Sequence, residues 1–445
     1  MPDDVARTAT AIGTRYQPGP QPALMLPVVL LAVFIIPMSI SGSAIALPRI
    51  ATDLGDDPTG LQWVVNAFNV AFAVFGLVWG VASDRLGYRN TFRLGIVIVL
   101  VSSVISVAAT NLLMLDVGRF ITGVGSAAVL TGASAILSNA YTDAKRGRVF
   151  AIFGTTIGLG LALGPTLSGA LTAWLSWRGV FGAHGLVLLI ALAGSVAIPH
   201  VAHVLDPDRK IVDFSLLRNP HFLALCLVPV AGALGYVTLL TYLPVALSGV
   251  AGLSAGTSGL FMLFATVPVL VGPMIASRLI ATFPKISSMT LIYAALACLA
   301  LGVAGMFLLT PGIALAWLVV PMLLVGFGFG LPLGLVDGEA LASVPAHSSG
   351  TAAGVLNFMR IGSEAVFVGL YSAVLAWLIG RAISDRAVAR ATAAGHSGHA
   401  QVYADAFHWV IGALVILVLV VSVAIAVLHR ARVTAARLEP VACAS

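Results

Sequence analysis

The sequence predicts an all-α membrane protein whose twelve transmembrane helices form two pseudo-symmetric bundles of six. Three observations lead there. Hydrophobic residues make up 59% of the 445-residue chain and charged residues 9%, where soluble domains carry about 25% charged residues. Roughly twelve stretches reach the about 20 mostly apolar residues that a helix needs to cross a bilayer. These stretches divide six and six around one polar segment, His200 to Pro220.

Taken in order, the spans are expected near 24–47, 61–82, 92–109, 112–138, 148–174, 179–199, 221–246, 256–281, 287–309, 313–341, 349–375 and 409–429. A soluble helical bundle needs polar outer faces, and these segments have none. The 46 Gly suit close approach of helix backbones in lipid. The 22 Pro suit bends whose freed carbonyls find partners inside a bundle. The expected organisation is a tail over 1–23, a first bundle over 24–199, a linker over 200–220, a second bundle over 221–430 with an outer loop at 376–408, and a tail over 431–445.

Basic residues set the expected orientation. With the N-terminus inside, the cytoplasmic segments hold sixteen Lys and Arg, from Arg7 to Arg437. The outer segments hold five: Arg49, Arg178, Arg381, Arg386 and Arg390. That asymmetry is the positive-inside pattern, and it places both termini in the cytoplasm of a cell whose plasma membrane the chain spans many times. The net charge of +6 then reflects orientation and implies no nucleic-acid partner. The first 23 residues lack the short apolar core of a signal peptide and read as a tail. Within the linker, Asp213 to Phe222 (DFSLLRNPHF) mixes apolar and polar residues and is expected to lie along the inner membrane surface.

Cys226, Cys298 and Cys443 fall in two spans and a tail, so no disulfide framework is expected. His396, His399, Asp405 and His408 gather in the outer loop; an ordinary solvated loop explains them, and no metal or other cofactor is implied. GLSAG (252–256) has the nucleophile-elbow pattern but no strand before it. GTSG (256–259) resembles an intramembrane serine-protease motif but lacks a His partner. Neither a zinc-protease helix nor a phosphate loop is present. The chain is therefore not read as an enzyme or an ATP-driven pump.

The most specific local feature is GVASDRLGYR, Gly80 to Arg89, between two long apolar stretches. Its counterpart after the eighth span, IASRLIATFPK (275–285), is degraded and lacks the acid. With WVVNAFNVAFAVFGLVWG ahead of it, the loop resembles the second helix and following turn of major facilitator transporters, in particular the EmrB/QacA type of drug/proton antiporters. RFITGVGSAAVL (119–130) resembles that family's fourth-helix Arg motif. GLGLALGPTLSG (158–169) resembles its fifth-helix antiporter motif, SWRGVF (176–181) follows in order, and GTAAGVLNFMR (350–360) resembles its penultimate helix.

The resemblance implies the major facilitator fold and secondary transport by alternating access, with export of amphipathic organic compounds in exchange for protons. The alternative is a dedicated carrier of one metabolite or natural product with weak or no proton coupling. A non-transporting receptor or lipid-handling protein is a third reading. The expected partners are a small-molecule substrate, protons and membrane lipid, and the expected state is a monomer.

Roles follow residue by residue. Gly80, Asp84, Arg85, Gly87 and Arg89 are the candidate conformational latch, since an acid at a helix end suits the positive N-terminus of a neighbouring helix. Gly158, Gly160, Gly164, Pro165 and Gly169 open a groove on the fifth helix, with Pro165 bending it. Ionisable residues inside spans are expensive and mark function. The proton-coupling candidates are Glu364, Asp337, Glu339, Asp116, Arg119 and Arg360, with Asp116–Arg119 and Arg360–Glu364 spaced for local pairing. Ser39, Asn66, Asn69, Tyr236, Tyr242, Phe261, Phe264 and Asn357 are the candidates to line a substrate cavity. Four departures from the family pattern stand out. Ser39 occupies the place of a first-helix Asp, Thr122 that of a Gln and His184 that of an Asn, and two extra central helices are missing. The acids of the second half are the candidates to replace the lost one.

Overall fold

The computed structural model describes residues 22–55, 57–199, 216, 218–395 and 398–438. Residues 1–21, most of the central linker with Asp213, Phe214, Ser215 and Leu217 of the 213–222 segment, His396, and residues 439–445 with Cys443 lie outside the described residues.

Apolar composition with little helical asymmetry yields helices buried on several sides, in protein or in lipid. The chain runs through α1 (Met25–Leu54), α2 (Pro58–Leu86), α3 (Tyr88–Val107) and α4 (Leu112–Ala140). One long helix, Asp143–Gly194, is broken at Ser176, whose φ is 62°; its parts are α5 (143–175) and α6 (177–194). Then come α7 (Pro220–Ala251), α8 (Thr257–Thr282), α9 (Ser288–Leu308), α10 (Ala316–Ala342), α11 (Ser349–Ala382) and α12 (Ala400–Leu438).

Among the described residues ten helices are long and apolar enough to cross a membrane, and eleven when the two parts of α1, bent by 65°, count as one span. One of the ten runs for 53 residues. At 1.5 Å per residue that is about 80 Å, more than twice a hydrocarbon core of about 30 Å. Its break at Ser176 makes it two passes and brings the bundle to twelve.

Local chemistry fixes the ends. Asp57 caps α2 through the Gly60 amide at 2.8 Å, and Asn111 caps α4 through Met114 at 2.8 Å. Gly87, at φ 84°, ends α2 and starts α3 with no intervening loop. The backbone keeps helical φ/ψ through Pro165, and the break comes eleven residues later at Ser176. α7 carries a π-helical turn over Ala233–Val237. α10 is interrupted between Gly330 and Leu335, where Gly334 has φ 79°.

Each group of six closes on itself at the end away from the α2–α3 turn. In the first, Asp53 at the end of α1 accepts from Trp177 Nε1 at 2.8 Å and pairs with Arg178 at 3.3 Å. Arg178 also donates to the Ala109 carbonyl at 2.9 Å and stacks on Trp177. Beneath them Ala46, Ile50, Val64, Leu115, Trp177 and Phe181 form a buried cluster. In the second, His408 Nε2 lies 3.0 Å from the Leu309 carbonyl, and Asp405 accepts from Gln401. A short helix, Arg386–Ala393, leads to Gly395, which rests against the Val245 carbonyl of α7.

Candidate functional site

The two groups of helices meet at the end where α2 turns into α3. Asp84 ends α2 and is buried. Its Oδ1 accepts from the Gly350 amide at 2.8 Å, and its Oδ2 accepts from the Thr351 amide at 2.9 Å and the Thr351 hydroxyl at 2.5 Å. These amides belong to the first turn of α11, whose N–H groups have no partner within the helix and carry its positive dipole end. The Tyr88 hydroxyl stands between Asp84 Oδ1, at 3.2 Å, and the Ala346 carbonyl, at 2.8 Å. Such closeness needs small residues on both helices. A Cβ on Gly350 would lie 1.9 Å from Ser83 Oγ, and one on Gly354 would lie 2.4 Å from the Gly76 carbonyl. The spacing Gly76–Gly80 on α2 and Gly350–Gly354 on α11 is a G-x-x-x-G pattern on each side.

The arginines of the same turn do different work. Arg89 Nη2 donates to the Val196 carbonyl at 3.4 Å, while Arg93 donates to Ser195 Oγ and its carbonyl, both at 2.9 Å. Both thus sit at the carbonyl end of α6, where positive charge is favoured. Arg85 is exposed.

A second contact between the halves joins α5 to α10 and α8. A Cβ on Gly154 would lie 2.4 Å from the Leu333 carbonyl, and one on Gly334 would lie 2.1 Å from the Phe150 carbonyl. Gly158 faces the Val269 carbonyl of α8. The rest of the glycine run faces its own half: Gly160 meets Phe34 and Pro37 of α1, Gly169 meets Ile45, and the Gly164 carbonyl lies against Gly42. One helix therefore carries both a seal between halves and a seat within its own.

The seam opens away from this end. Contact between α2 and α11 runs from Asp84 and Gly350 to Ala73 and Gly362. Further along α11, nothing lies within 4 Å of a Cβ placed on Gly369, and Val366 and Leu370 are exposed. On α2, Asn69 is half-buried and Asn66 is exposed. The halves are closed at the Asp84 end, and further along α11 Val366, Gly369 and Leu370 are left uncovered by protein.

The intramembrane charges pair differently from what their spacing suggests. Arg360 does not pair with Glu364, four residues on; its Nη2 reaches across to Asp337 Oδ2 on α10 at 2.7 Å, and both residues are buried. Asp337 lies in the first turn after the α10 interruption, where a carboxylate is favoured. Arg360 Nη1 and Asn357 Nδ2 have no hydrogen-bond partner among the described residues. Glu364, half-buried, makes no ion pair among them. It stands two residues beyond Gly362, which meets Ala73 of α2. Glu339 points elsewhere and accepts from Ser288 of α9 at 2.5 Å.

Arg119 likewise leaves Asp116. Its Nε donates to the Val64 carbonyl at 2.9 Å and Nη1 to Ser39 Oγ at 2.9 Å; Nη2 lies 3.3 Å from the Ser39 carbonyl and 3.5 Å from Ser43 Oγ. The Phe68 and Phe181 rings flank it, at 4.8 and 5.7 Å. Asp116 Oδ1 has no hydrogen-bond partner among the described residues.

The cavity candidates divide. Asn66, Asn69 and Glu364 flank the open part of the seam. Tyr236 is buried inside the second half, stacked on Phe329 at 4.4 Å, and Ser39 is buried with Arg119. Tyr242 is half-buried and stacks on Tyr371 at 4.6 Å. Phe261 and Phe264 pack edge to face at 5.4 Å. Asn357 is buried where α11 meets α2. Sequence reasoning did not foresee the Tyr88–Ala346 contact, the Ser288–Glu339 bond, or the fit of Gly154 against the α10 interruption. Only the glycines at that last joint left a trace in the sequence.

Twelve apolar helices in two groups, joined at one end by capped and glycine-lined contacts, define a polytopic membrane transporter. The Major Facilitator Superfamily model matches residues 29–367, and the chain belongs to that family. The chain is 28% identical to the puromycin resistance protein of Streptomyces alboniger, an alignment covering 87% of this chain and 89% of the relative. It is 24% identical to multidrug resistance protein 3 of Bacillus subtilis, over 81% of each. Among solved structures, the proton:xylose symporter XylE superposes with a TM-score of 0.69 at 15% identity, covering 89% of this chain and 94% of the symporter.

Proposed function

We propose that the protein exports amphipathic organic compounds, drugs and antibiotics among them, in exchange for protons. It works as a monomer in the plasma membrane with both termini in the cytoplasm. Two relatives named for puromycin and multidrug resistance support the substrate class. The excess of basic residues at the Asp84 end supports the orientation. In that frame the closed end is cytoplasmic and the parted seam faces outwards.

The observation that carries the coupling is the contrast between two acids. Asp337 is committed to Arg360, while Glu364 makes no ion pair among the described residues and stands just beyond the Gly362–Ala73 contact. A carboxylate that is reached from outside in this state, and enclosed when the halves rock the other way, is a site for taking up a proton and returning it. Asp84 and the first turn of α11 form the bistable element that alternating access requires. Asn66, Asn69 and Tyr242 supply polar and aromatic groups for an amphipathic solute.

The test is proton movement on addition of puromycin, a cationic dye and a neutral lipophilic compound to liposomes containing the purified protein. Proton release with several of them, lost in Glu364→Gln, supports the reading. Flux of a single compound with no proton signal replaces it with a dedicated, uncoupled carrier.

A further inference from the structure

Arg119 places a buried positive charge in the first half, and no carboxylate among the described residues answers it. The residue is 1% exposed. Its hydrogen bonds go to neutral acceptors: the Val64 carbonyl, the Ser39 hydroxyl and carbonyl, and the Ser43 hydroxyl. Asp116, the acid nearest in sequence, is not bonded to it. Neutral acceptors satisfy the guanidinium N–H groups without cancelling the charge, and a buried charge is ordinarily kept with an opposite one.

A small enclosed cavity adjoins this cation between α1, α3, α4 and α6. Two residues that line the cavity link it to the cation: Ser39 bonds the guanidinium, and the Phe181 ring centre lies 5.7 Å from it. The wall also includes Ser103, Ser106, Thr122 and His184. Ser106 is fully buried and His184 is 4% exposed, yet Ser106 Oγ and His184 Nε2 have no hydrogen-bond partner among the described residues. Ser39 Oγ accepts from Arg119, which leaves its own hydrogen to donate. The wall thus offers hydroxyl donors and an imidazole nitrogen, itself a donor in the Nε2–H tautomer, beside a fixed positive charge; its lining holds no carboxylate to attract a metal ion, and it encloses room for one small particle.

We propose that this cavity binds one monovalent anion of the chloride class, held by Ser39, Ser106 and the His184 imidazole N–H, as the counter-charge of Arg119. Water would satisfy the orphaned atoms but leave the charge. An anion does both. The inference stands apart from the export reading, because binding is measured without transport.

The test is equilibrium binding of radioactive chloride to the purified full-length protein, alongside thermal unfolding in potassium chloride and potassium gluconate at equal ionic strength. The expected result is one saturable site per chain, displaced by bromide and not by gluconate, with a higher unfolding midpoint in chloride. Ser39→Asp supplies a carboxylate at the guanidinium; it should abolish chloride binding and make the midpoint independent of the salt. His184→Ala and Ser106→Ala, which keep Arg119 and its partners, should each weaken binding by about tenfold, and they carry the test if Ser39→Asp does not fold. Absence of saturable binding in the wild type overturns the proposal and gives the cavity to water. Equal binding in the wild type and all variants overturns it as well, by placing the anion elsewhere.

Discussion

Asp84 and Gly350, 266 positions apart in sequence, are joined by a 2.8 Å hydrogen bond from the Gly350 amide to the Asp84 carboxylate. Through this bond the acid of one half becomes the N-terminal cap of a helix in the other. Removing the acid strands two backbone donors and the Thr351 hydroxyl at a buried helix end, at a cost of about 1–3 kcal/mol. Asp84→Ala should therefore shift the balance between closed and open forms of this end by about 5–150-fold. Spin labels on the exposed residues Arg85 and His347 should report longer separations in the variant. Unchanged distances would remove the latch assignment.

Close approach at the same junction predicts a steric wedge. An added Cβ at Gly350 would overlap Ser83 Oγ, and at Gly154 it would overlap the Leu333 carbonyl. Gly350→Ala and Gly154→Ala should each insert and fold while failing to close this end, so that transport falls by at least about tenfold. Gly369→Ala, with nothing nearby, should transport normally. Cysteine accessibility near the Asp84 end separates a wedged protein from a misfolded one.

The two acids of the second half should fail in different ways. Asp337→Asn leaves Arg360 buried without its counter-charge, and breaking a buried pair by removing one partner costs about 3–5 kcal/mol. Its main effect should be a lower unfolding midpoint and lower yield. Glu364→Gln removes no ion pair among the described residues, so stability should hold while substrate-driven proton movement is lost. The opposite pattern, a stable Asp337→Asn without coupling and an unstable Glu364→Gln, would exchange the two roles.

At the other end, Asp53 and Arg178 form a pair whose side chains are 46% and 36% exposed. Exposed pairs contribute about 0–1 kcal/mol, and an Asn oxygen at position 53 can still accept from Trp177. Asp53→Asn should lower the unfolding midpoint only slightly. Trp177→Ala should do far more, since it empties a fully buried site and truncations of this kind cost about 3–5 kcal/mol.

Composition alone determined that this chain lives in a bilayer, because twelve runs of apolar residues admit no other solvent. Segment lengths gave the helices, and order-preserving motifs gave the family. The Gly–Asp–Arg turn raised the expectation of a contact with a helix N-terminus, because an acid at a helix end has a physical use, and Asp84 makes that contact. What could not be read was which groups meet. Arg119 and Arg360 each have an acid one turn away, yet both side chains reach past it. Arg360 finds a carboxylate on a helix that passes beside its own, and Arg119 finds carbonyls and hydroxyls. Spacing along one helix says which residues share a face, but the partner is chosen by the helix packed against that face. The packing of α11 against α2 and α10, and of α4 against α1 and α2, exists only in the folded bundle. It decided that Asp337 is bound and that, among the described residues, Glu364 has no ion pair and a buried guanidinium has no carboxylate.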